Sequence, residues 1–333
     1  MNSHFWKNCS AQEERAFLLD LNLLRQYGDA WSDKEKIALL YTVSRTINQH
    51  YLTVKIPKRT GGLRTLHAPD PLLKMIQKNI LSLLETRTLS AFATAYRKGG
   101  SILANATPHV GKKQLLQLDL LDFFDSLSFP MVMAAAFPKT VFPDNTRMLL
   151  TNLCCLNDAL PQGAPTSALI SNLIMRPFDD YIGEWCKERQ IAYSRYSDDL
   201  TFSTNEGDLT LVKRKVEHFL EAMQLNLHPA KTKYTDQSMR QCVTGVVVNQ
   251  HPQVPRRYRS MLRQEIYYLE KFGLTGHLAC LKEKGEVAAD LSEKQYLRKL
   301  IGKVQFVCAI CPESAGFQDA YWRLQKLAIS FEE

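Results

Sequence analysis

The sequence predicts an α+β fold, in which antiparallel strands are combined with longer helices. Two stretches predict β-hairpins: residues 51–70, which carry Gly61 and Gly62 between two strand-like runs, and Ala192–Ser203. Apolar residues recur at helical spacing through much of the remaining chain, as in the amphipathic run Asp208–Leu225. Hydrophobic residues make up 45% and charged residues 23% of the 333 positions. Such a composition is typical of a folded protein, and this length suits about two or three domains or subdomains.

The chain is basic, and its basic residues are concentrated in separate stretches. The formal net charge is +8 and the isoelectric point is near 9.0, values that are compatible with a nucleic-acid partner. Lys55–Arg64 and Arg97–Lys113 contain bases and no acids, and Lys231–Arg263 contains seven Lys or Arg against one acid. A groove that follows a nucleic-acid backbone needs separate basic segments of this kind, although they also suit ordinary solvated faces.

The sequence predicts a cytoplasmic location. No apolar run reaches the roughly 18 residues that a membrane span needs. The first residues lack the apolar core of a secretory signal. The eight cysteines are scattered along the chain and, without export, are expected to be reduced thiols.

Residues 1–50 are predicted to form a helical extension without recognisable catalytic residues. One helix is expected over Glu13–Leu24, and a second begins near Ser32 or Asp33, either of which suits an N-cap. After the first hairpin, the apolar stripe of Leu72–Leu84 predicts a further helix.

Two stretches between the hairpins differ in pattern. Ala95–Lys113 is basic and partly Gly-rich and predicts a loop, and the polar Asn105–His109 within it shows no sign of belonging to the core. In Leu115–Leu127, leucines alternate with polar residues. This alternation predicts a strand that presents Asp119 on one face.

The second half of the chain is predicted to be largely helical outside the hairpin. Helices over residues 128–157 are interrupted by two Phe-Pro pairs. The loop Pro161-Gln162-Gly163 leads into a long helix whose first turns carry small residues, which suit either a flat ligand or a closely packed helix. Further on, Leu225–Thr235 predicts a strand or turn, Cys242–Asn249 a short strand, and Arg256–Glu333 a mostly helical tail.

The second hairpin carries Asp198 and Asp199 side by side at its turn. Taken alone, the pair is either an ordinary Asp-rich turn or a functional pair whose Coulomb repulsion must be offset. Asp119 adds a third carboxylate at the end of another strand. Such carboxylates can hold two Mg²⁺ ions about 3.5–4 Å apart. The three acids therefore predict a two-metal site for phosphoryl transfer, with Mn²⁺ as a substitute.

Six motifs follow one another between Lys55 and Asn249, in the order IPKRTGGLRTLHAP, LDLLDFFDSL, LPQGAPTSALISNL, YSDDL, LNLHPAKT and CVTGVVV. Through them the chain resembles reverse transcriptases of the palm–fingers–thumb type. The resemblance implies a right-hand polymerase architecture. Its expected parts are a helical N-terminal extension (1–50), fingers (51–114), a palm with an antiparallel sheet (115–250, with a fingers-side helical insertion at 128–160) and a helical, RNA-binding thumb (251–333).

The resemblance also implies roles for individual residues. Asp119 and Asp198 would be the catalytic, metal-binding acids, and Asp199 a third acid with a less defined role. Residues expected to bind the incoming deoxynucleoside triphosphate are Lys58, Arg64, Phe124, Gln162, Gly163 and Lys231. Among these, Phe124 stands where the family has an aromatic side chain that excludes a ribose 2′-OH, and Lys231 would lie near the leaving pyrophosphate. The chain departs from the common family pattern at Ser197, which gives YSDD instead of YADD, and at Asp125, where proline is common.

Two short boxes are similar to those of retron reverse transcriptases: NATPH matches N-A-x-x-H, and VTG matches the second box. The family-diagnostic or RNA-binding positions are expected to be Asn105, His109, Val243, Thr244, Gly245, Arg256, Arg257, Arg259 and Arg263. Membership implies a bacterial enzyme that copies its own structured non-coding RNA (msr-msd). It would prime from the 2′-OH of an internal guanosine, form branched msDNA and act with an effector protein in anti-phage defence.

Other interpretations compete with this one. A group II intron-like or other defence-associated reverse transcriptase would share the polymerase motifs, but the two boxes and the lack of endonuclease motifs disfavour it. A catalytically silent RNA- or DNA-binding scaffold is disfavoured by the three intact acids. A separate constellation has a loosely zinc-like spacing: His277, Cys280, Cys308 and Cys311. Because its last two cysteines lie in an apolar helical run, a core role is favoured for them.

Overall fold

The computed structural model describes residues 9–57 and 61–329. Helices and antiparallel β-structure occur together in these residues, so the predicted α+β class is confirmed. The strands are β1 (Tyr51–Pro57), β2 (Leu63–Pro69), β3 (Gln114–Asp119), β4 (Ala192–Tyr196), β5 (Asp199–Thr204), β6 (Lys233–Asp236), β7 (Cys242–Val243) and β8 (Val246–Val247). The α-helices are α1 (Ala11–Asp20), α2 (Asp33–Arg45), α3 (Pro71–Leu84), α4 (Ile102–Ala106), α5 (Phe123–Ser126), α6 (Phe129–Ala136), α7 (Asp144–Cys154), α8 (Ser167–Lys187), α9 (Leu209–Ala222), α10 (Arg256–Glu283), α11 (Glu293–Ile310) and α12 (Ala315–Ile329).

A four-stranded sheet with the strand order β4-β5-β3-β6 brings the predicted acidic positions together. β4 and β5 form an antiparallel hairpin, in which Ala192 pairs with Ser203 and Tyr196 pairs with Asp199. β3 lies beside β5, so the last residue of β3, Asp119, is close to the turn of the hairpin. The predicted hairpin and the predicted strand are therefore both confirmed.

Burial of apolar side chains fixes the register of this sheet. Leu116 and Leu118 of β3 are buried, as are Phe178 of α8 and Phe202 of β5. On the hairpin, the rings of Tyr193 and Phe202 stack with their centroids 4.7 Å apart. A slip of one residue would move these side chains away from their packing partners, so the packing determines which residues stand at the end of each strand.

The helices before the first hairpin begin at clear capping signals. Ser32 is the N-cap of α2, and its side chain accepts a hydrogen bond from the backbone N–H of Glu35. The Glu35 side chain returns a bond to the N-cap backbone, which completes a capping box. Of the two predicted N-caps, Ser32 is therefore the one used. The other predicted helix, Glu13–Leu24, is shorter than expected, since α1 ends at Asp20.

The loop predicted over Ala95–Lys113 is wrong in its second half. Residues 102–106 form α4, and a 3-10 turn follows over Thr107–His109. Asn105 and His109 are fully buried. The amide of Asn105 donates to the hydroxyl of Thr244 at 3.4 Å. Polar side chains that are satisfied by a partner distant in the sequence leave no apolar pattern for periodicity to detect.

The single strand predicted over Cys242–Asn249 is also wrong. The segment forms a small antiparallel hairpin, in which Cys242 of β7 pairs with Val247 of β8. Thr244 and Gly245 make its turn, with φ angles of 46° and 86°. Two successive residues with positive φ are typical of tight hairpin turns, and the glycine makes the second position inexpensive.

The chain divides into two compact units, Met1–Ser101 with Leu115–Tyr234 and Ile102–Gln114 with Thr235–Glu333. In the second unit α11 packs against α10 and α12, so the predicted helical tail is confirmed. α10 is bent at Gly273, whose φ is 72°. The predicted limits of fingers, palm and thumb stay predictions. No helix among the described residues is both long and apolar enough to cross a membrane.

We predict that Asn105→Ala lowers the free energy of unfolding by about 1–3 kcal/mol, because a buried hydrogen-bonding partner is removed. Urea denaturation followed by circular dichroism measures the change. Thr107→Ala, at an exposed position of the same segment, is the matched control and should stay within about 0.5 kcal/mol of the wild type. Equal, small effects of both substitutions would contradict the prediction.

Candidate active site

Backbone hydrogen bonds place three carboxylates at one edge of the four-stranded sheet. The N–H of Leu120 donates to the carbonyl of Asp198 at 3.0 Å, which ties the end of β3 to the turn of the hairpin. The N–H of His228 donates to the carbonyl of Asp119 at 2.7 Å. Asp198 lies in the turn and Asp199 is the first residue of β5. The acids predicted to act together are thus brought together.

Lys231 contacts this acidic group directly. It ends the 3-10 turn Pro229–Lys231, and its Nζ lies 2.7 Å from Oδ1 of Asp119. The Asp119 side chain is 14% exposed and that of Lys231 is 53% exposed. The lysine therefore reaches a sheltered carboxylate from the solvent side. A small movement of the Lys231 side chain would separate its ammonium from the carboxylate of Asp119.

The surroundings of Asp199 raise its proton affinity. Asp199 reaches solvent, but partial desolvation by the surrounding protein and then the negative charges of Asp198 and Asp119 raise its pKa to about 7. Lys231 opposes this rise in the pKa. Accumulated negative charge from oxygen ligands is the environment that a divalent cation such as Mg²⁺ neutralises.

The donor set fits a hard cation, but the side chains as they stand are not arranged as a closed metal site. Across residues 9–57 and 61–329, no group of three or more His, Cys, Asp or Glu side chains has a metal-binding arrangement. One reason is visible at Asp119, where the ammonium of Lys231 is bonded to Oδ1. A cation bound by Asp119 and Asp198 would compete with Lys231 for that oxygen.

Phe124 stands on the short helix α5, just beyond the end of β3. Asp122, with φ of 43°, turns the chain into this helix. Phe124 is half-buried, and its ring centroid lies 5.3 Å from that of the buried Phe123. The neighbouring Asp125 is exposed, and partial desolvation followed by the charge of Asp122 raises its pKa.

The loop of Gln162 and Gly163 packs against the first hairpin. The N–H of His67 on β2 donates to the carbonyl of Gln162 at 2.7 Å. Gly163 has φ of +118°, and a Cβ at this position would lie 2.9 Å from the carbonyl oxygen of His67. Only glycine suits such a conformation at such a distance. His67 was missed by the sequence reasoning, because it contributes its backbone and any residue type could do so.

Of the two basic residues expected to hold the triphosphate, the structure describes Arg64 but not Lys58. Arg64 lies on β2, opposite Ile56, and its side chain is exposed. It belongs to a different sheet from the three acids. Lys58 lies outside the described residues. The nucleotide-binding roles of both stay predictions.

The two family-diagnostic boxes contact each other. The hydroxyl of Thr244 accepts from Asn105 and donates to the carbonyl of Ile102 at 3.1 Å. Val243 is fully buried, and Gly245 is exposed at the tip of the small hairpin. Burial, with a smaller contribution from the charge of Lys112, lowers the pKa of His109 to about 3, so its imidazole is neutral at physiological pH.

The remaining candidates lie in the C-terminal helices. Arg256, Arg257 and Arg263 are exposed on α10, and Arg263 stacks over the ring of Phe317 at 5.0 Å. Arg259 is half-buried and donates to the Gln253 side chain at 3.1 Å.

The residues with zinc-like spacing are not gathered as ligands. The Nε2 atom of His277 is 3.0 Å from the hydroxyl of Tyr296, so this histidine belongs to a polar network inside the helices. Cys280 is exposed, whereas Cys308 and Cys311 are half-buried. All three cysteines have free thiols.

Comparison with known proteins identifies relatives that are reverse transcriptases. A profile of the family described as reverse transcriptase (RNA-dependent DNA polymerase) matches residues 56–252, more than half of the chain. The retron Ec83 reverse transcriptase of Escherichia coli is 39% identical over 213 residues, covering 60% of this chain and 68% of that protein. The retron Mx65 reverse transcriptase of Myxococcus xanthus is 31% identical over 287 residues, covering 75% and 67%, respectively.

One solved structure is a more distant neighbour. Apo telomerase from Candida tropicalis, truncated from its C-terminal domain, aligns with a TM-score of 0.45 and 11% identity, covering 62% of this chain and 55% of that one. A likeness at this level carries no argument about function.

We predict that Gly163→Ala impairs the protein at its first hairpin. The added methyl group must shift the backbone of His67, and positive φ costs a non-glycine residue about 1–3 kcal/mol. The expected result is a lower melting temperature together with a lower rate of nucleotide incorporation. Gly302→Ala, where a Cβ meets no atom within 4 Å, is the matched control and should leave both unchanged or slightly improved. A wild-type rate for Gly163→Ala would contradict the prediction.

Proposed function

Since this chain belongs to the retron reverse transcriptases, which are RNA-directed DNA polymerases, we propose that it copies its own structured non-coding RNA into branched msDNA. The observation that carries the proposal is the meeting of Asp119, Asp198 and Asp199 at one sheet edge, beside Lys231. The proposed primer is the 2′-OH of an internal guanosine of that RNA. The two boxes of the retron type, NATPH and VTG, support this choice within the family.

Asp119 and Asp198 are proposed to hold two divalent cations, Mg²⁺ by preference and Mn²⁺ as a substitute. The bound cations would stabilise the charge on the transferred phosphate and lower the pKa of the attacking hydroxyl. Asp199 adds negative charge next to them. A divalent cation favours the ionised carboxylate, so the raised pKa of Asp199 should fall when the cations bind.

Lys231 is proposed to change partners during the reaction. Its ammonium bonds to Asp119, and its side chain is half exposed and can move. With a cation on Asp119, the ammonium is free to donate to the phosphate oxygens of the leaving pyrophosphate. A compact, mobile cation suits this task.

Selection of the nucleotide is assigned to Phe124 and to the loop of Gln162 and Gly163. The half-buried ring of Phe124 follows the strand that carries Asp119, where it would contact the sugar. A ribose 2′-OH would clash with this ring. The glycine loop, held against β2, would form the adjacent wall, and Lys58 and Arg64 would neutralise the triphosphate.

RNA binding is assigned to the basic start of the C-terminal helical region. Arg256, Arg257 and Arg263 are exposed there, and exposed tyrosines interleave with them on α10. Guanidinium groups pair with phosphates, and tyrosine rings stack on unpaired bases. The proposed domain names follow: fingers for 51–114, palm for 115–250 and thumb for 251–333.

The biological setting is proposed by resemblance to the retron reverse transcriptases. The enzyme would act in the bacterial cytoplasm, in a complex with its msDNA and an effector protein, as part of defence against phage.

We predict that Asp198→Asn reduces deoxynucleotide incorporation on the cognate RNA by at least about 10³-fold, because a metal-bound carboxylate supplies several kcal/mol in the transition state. Primer extension with Mg²⁺ measures the rate, and filter binding should give an unchanged RNA affinity. Asp125→Asn, at an exposed acid that follows Asp119 on α5, is the control and should retain activity. A wild-type protein that binds this RNA but makes no DNA would refute the enzymatic proposal.

Sequencing of the nucleic acid that co-purifies with the wild type tests the retron product. Branched RNA–DNA joined through a guanosine 2′-OH is the expected result. Intron RNA or untemplated DNA would indicate another class of reverse transcriptase, and RNA without DNA would indicate a binding scaffold.

We predict that Phe124→Ala relaxes discrimination against ribonucleotides by about 10–200-fold, the range expected when one contact of a pocket is removed. Single-nucleotide incorporation with matched dNTP and rNTP gives the ratio of kcat/KM values. Phe124→Tyr keeps the ring and should retain the discrimination. An unchanged ratio for Phe124→Ala would exclude this side chain as the gate.

A further inference from the structure

The hairpin that carries Asp198 and Asp199 contains a charged side chain that is wholly buried. Arg195 of β4 is 0% exposed, and so is its partner Asp179 of α8. Two short hydrogen bonds join them, from Nη2 to Oδ2 at 2.6 Å and from Nε to Oδ1 at 2.8 Å. A buried ion pair gives little net stability compared with apolar packing, so its presence calls for an explanation beyond stability.

Another donor of the same guanidinium reaches the turn between β4 and β5, which carries Ser197 and Asp198 and is called the catalytic turn below. Nη1 of Arg195 donates to the carbonyl of Ser197 at 2.9 Å. Ser197 has φ of +62°, a left-handed conformation that a serine adopts at some cost, and it directly precedes Asp198. The next carbonyl, that of Asp198, accepts from the N–H of Leu120. Two consecutive carbonyls of the turn are thus held by separate, fixed donors.

The guanidinium is itself fixed from several directions. Nη2 also donates to Oδ1 of Asn172 at 3.0 Å, and the amide of Asn172 donates to the carbonyl of Ala95 at 2.9 Å. The hydroxyl of Tyr193 donates to Asp179 at 2.8 Å. Burial is the largest single influence and lowers the pKa of Arg195, but the charge and hydrogen bonds of Asp179 together with Tyr193 outweigh it, and the pKa is raised. The guanidinium therefore keeps its charge and its orientation.

We propose that Arg195 is a positioning residue for polymerisation, because its guanidinium fixes the turn that carries Asp198 and Asp199. The inference rests on the proposed catalytic role of these two acids. It also assigns a task to α8, which begins shortly after the loop of Gln162 and Gly163 and holds the guanidinium in place. One helix thereby connects the nucleotide-facing loop with the catalytic turn.

Arg195→Lys is the first variant, tested in the full-length protein. Lysine retains the charge that Asp179 requires, but one ammonium cannot replace the planar fork that serves both Asp179 and the Ser197 carbonyl. The kcat of deoxynucleotide incorporation should fall about 100-fold, the loss that a displacement of about 1 Å can cause. RNA affinity and the KM for dNTP should change little.

Mn²⁺ binding without nucleotide, followed by electron paramagnetic resonance, gives a readout that is independent of activity. Affinity should weaken by about 10–100-fold, as for other residues that orient metal ligands. Unchanged Mn²⁺ affinity and unchanged kcat in Arg195→Lys would overturn the proposal.

Arg147→Lys is the matched control. Arg147 is also a buried arginine in the same unit, 6% exposed, and donates to the carbonyl of Phe137 at 2.9 Å. Its substitution should lower the melting temperature without changing kcat per folded molecule or Mn²⁺ affinity. Equal kcat losses in the two lysine variants, at equal folded fraction, would overturn the proposal.

Arg195→Met combined with Asp179→Leu separates positioning from stability. Replacing a buried ion pair by apolar side chains is often neutral for folding, but no donor for the Ser197 carbonyl remains. The Tyr193 hydroxyl and Oδ1 of Asn172 also lose their partner, so the melting temperature should fall. The kcat per folded molecule should be as low as in Arg195→Lys. A wild-type kcat in this double variant would show that Arg195 and Asp179 have only a structural role and would overturn the proposal. If this double variant does not fold, the comparison of the two lysine variants decides.

Failure of the proposed polymerase function would give a different result from failure of the Arg195 proposal. A wild type without polymerase activity, or an Asp198→Asn variant that keeps it, would remove the proposed function itself. Only with an active wild type and an inactive Asp198→Asn variant do the Arg195 results bear on positioning.

Discussion

Carboxylates that lie close together repel one another, and the way this chain holds three of them at one sheet edge determines much of its structure. The bonds that fix their positions come from backbone groups, with Leu120 N–H on the carbonyl of Asp198 and His228 N–H on that of Asp119. The side-chain oxygens are thereby left for other partners. Lys231 compensates part of the repulsion, yet the pKa of Asp199 is still raised to about 7. The uncompensated negative charge is the kind of environment that a divalent cation would neutralise.

A second constraint is the close approach of two loops that are distant in sequence. Gly163 allows the backbone after Gln162 to come within hydrogen-bonding distance of His67 on β2. The same chain segment continues into α8, whose buried Asn172 and Asp179 hold Arg195. The loop of Gln162 and Gly163, the first hairpin and the turn of Asp198 are consequently parts of one connected packing arrangement within the first unit.

Sequence patterns predicted the elements whose apolar and polar residues alternate. The alternation around Asp119 gave β3, and the alternation after Asp199 placed the hairpin correctly, although both faces of β4 and β5 are largely buried. Prediction failed where polar groups are buried against distant partners, as with Asn105. It also missed Arg195, since an arginine in a strand is read as solvated and only the fold places Asp179 beside it.

The two short boxes similar to those of retron reverse transcriptases are joined by a contact between side chains. Asn105 donates to Thr244, 139 positions later in the sequence, and Thr244 returns a bond to the segment that carries Asn105. Loss of either side chain would remove this contact between the two boxes, so the two positions support each other. Asn105 and His109 are fully buried, so a direct contact with RNA would require these side chains to leave the interior. The exposed Arg256 and Arg257 meet no such obstacle. The contact between the boxes therefore joins residues 102–114 to the rest of the second unit, and Arg256 and Arg257 are the more accessible of the proposed RNA contacts.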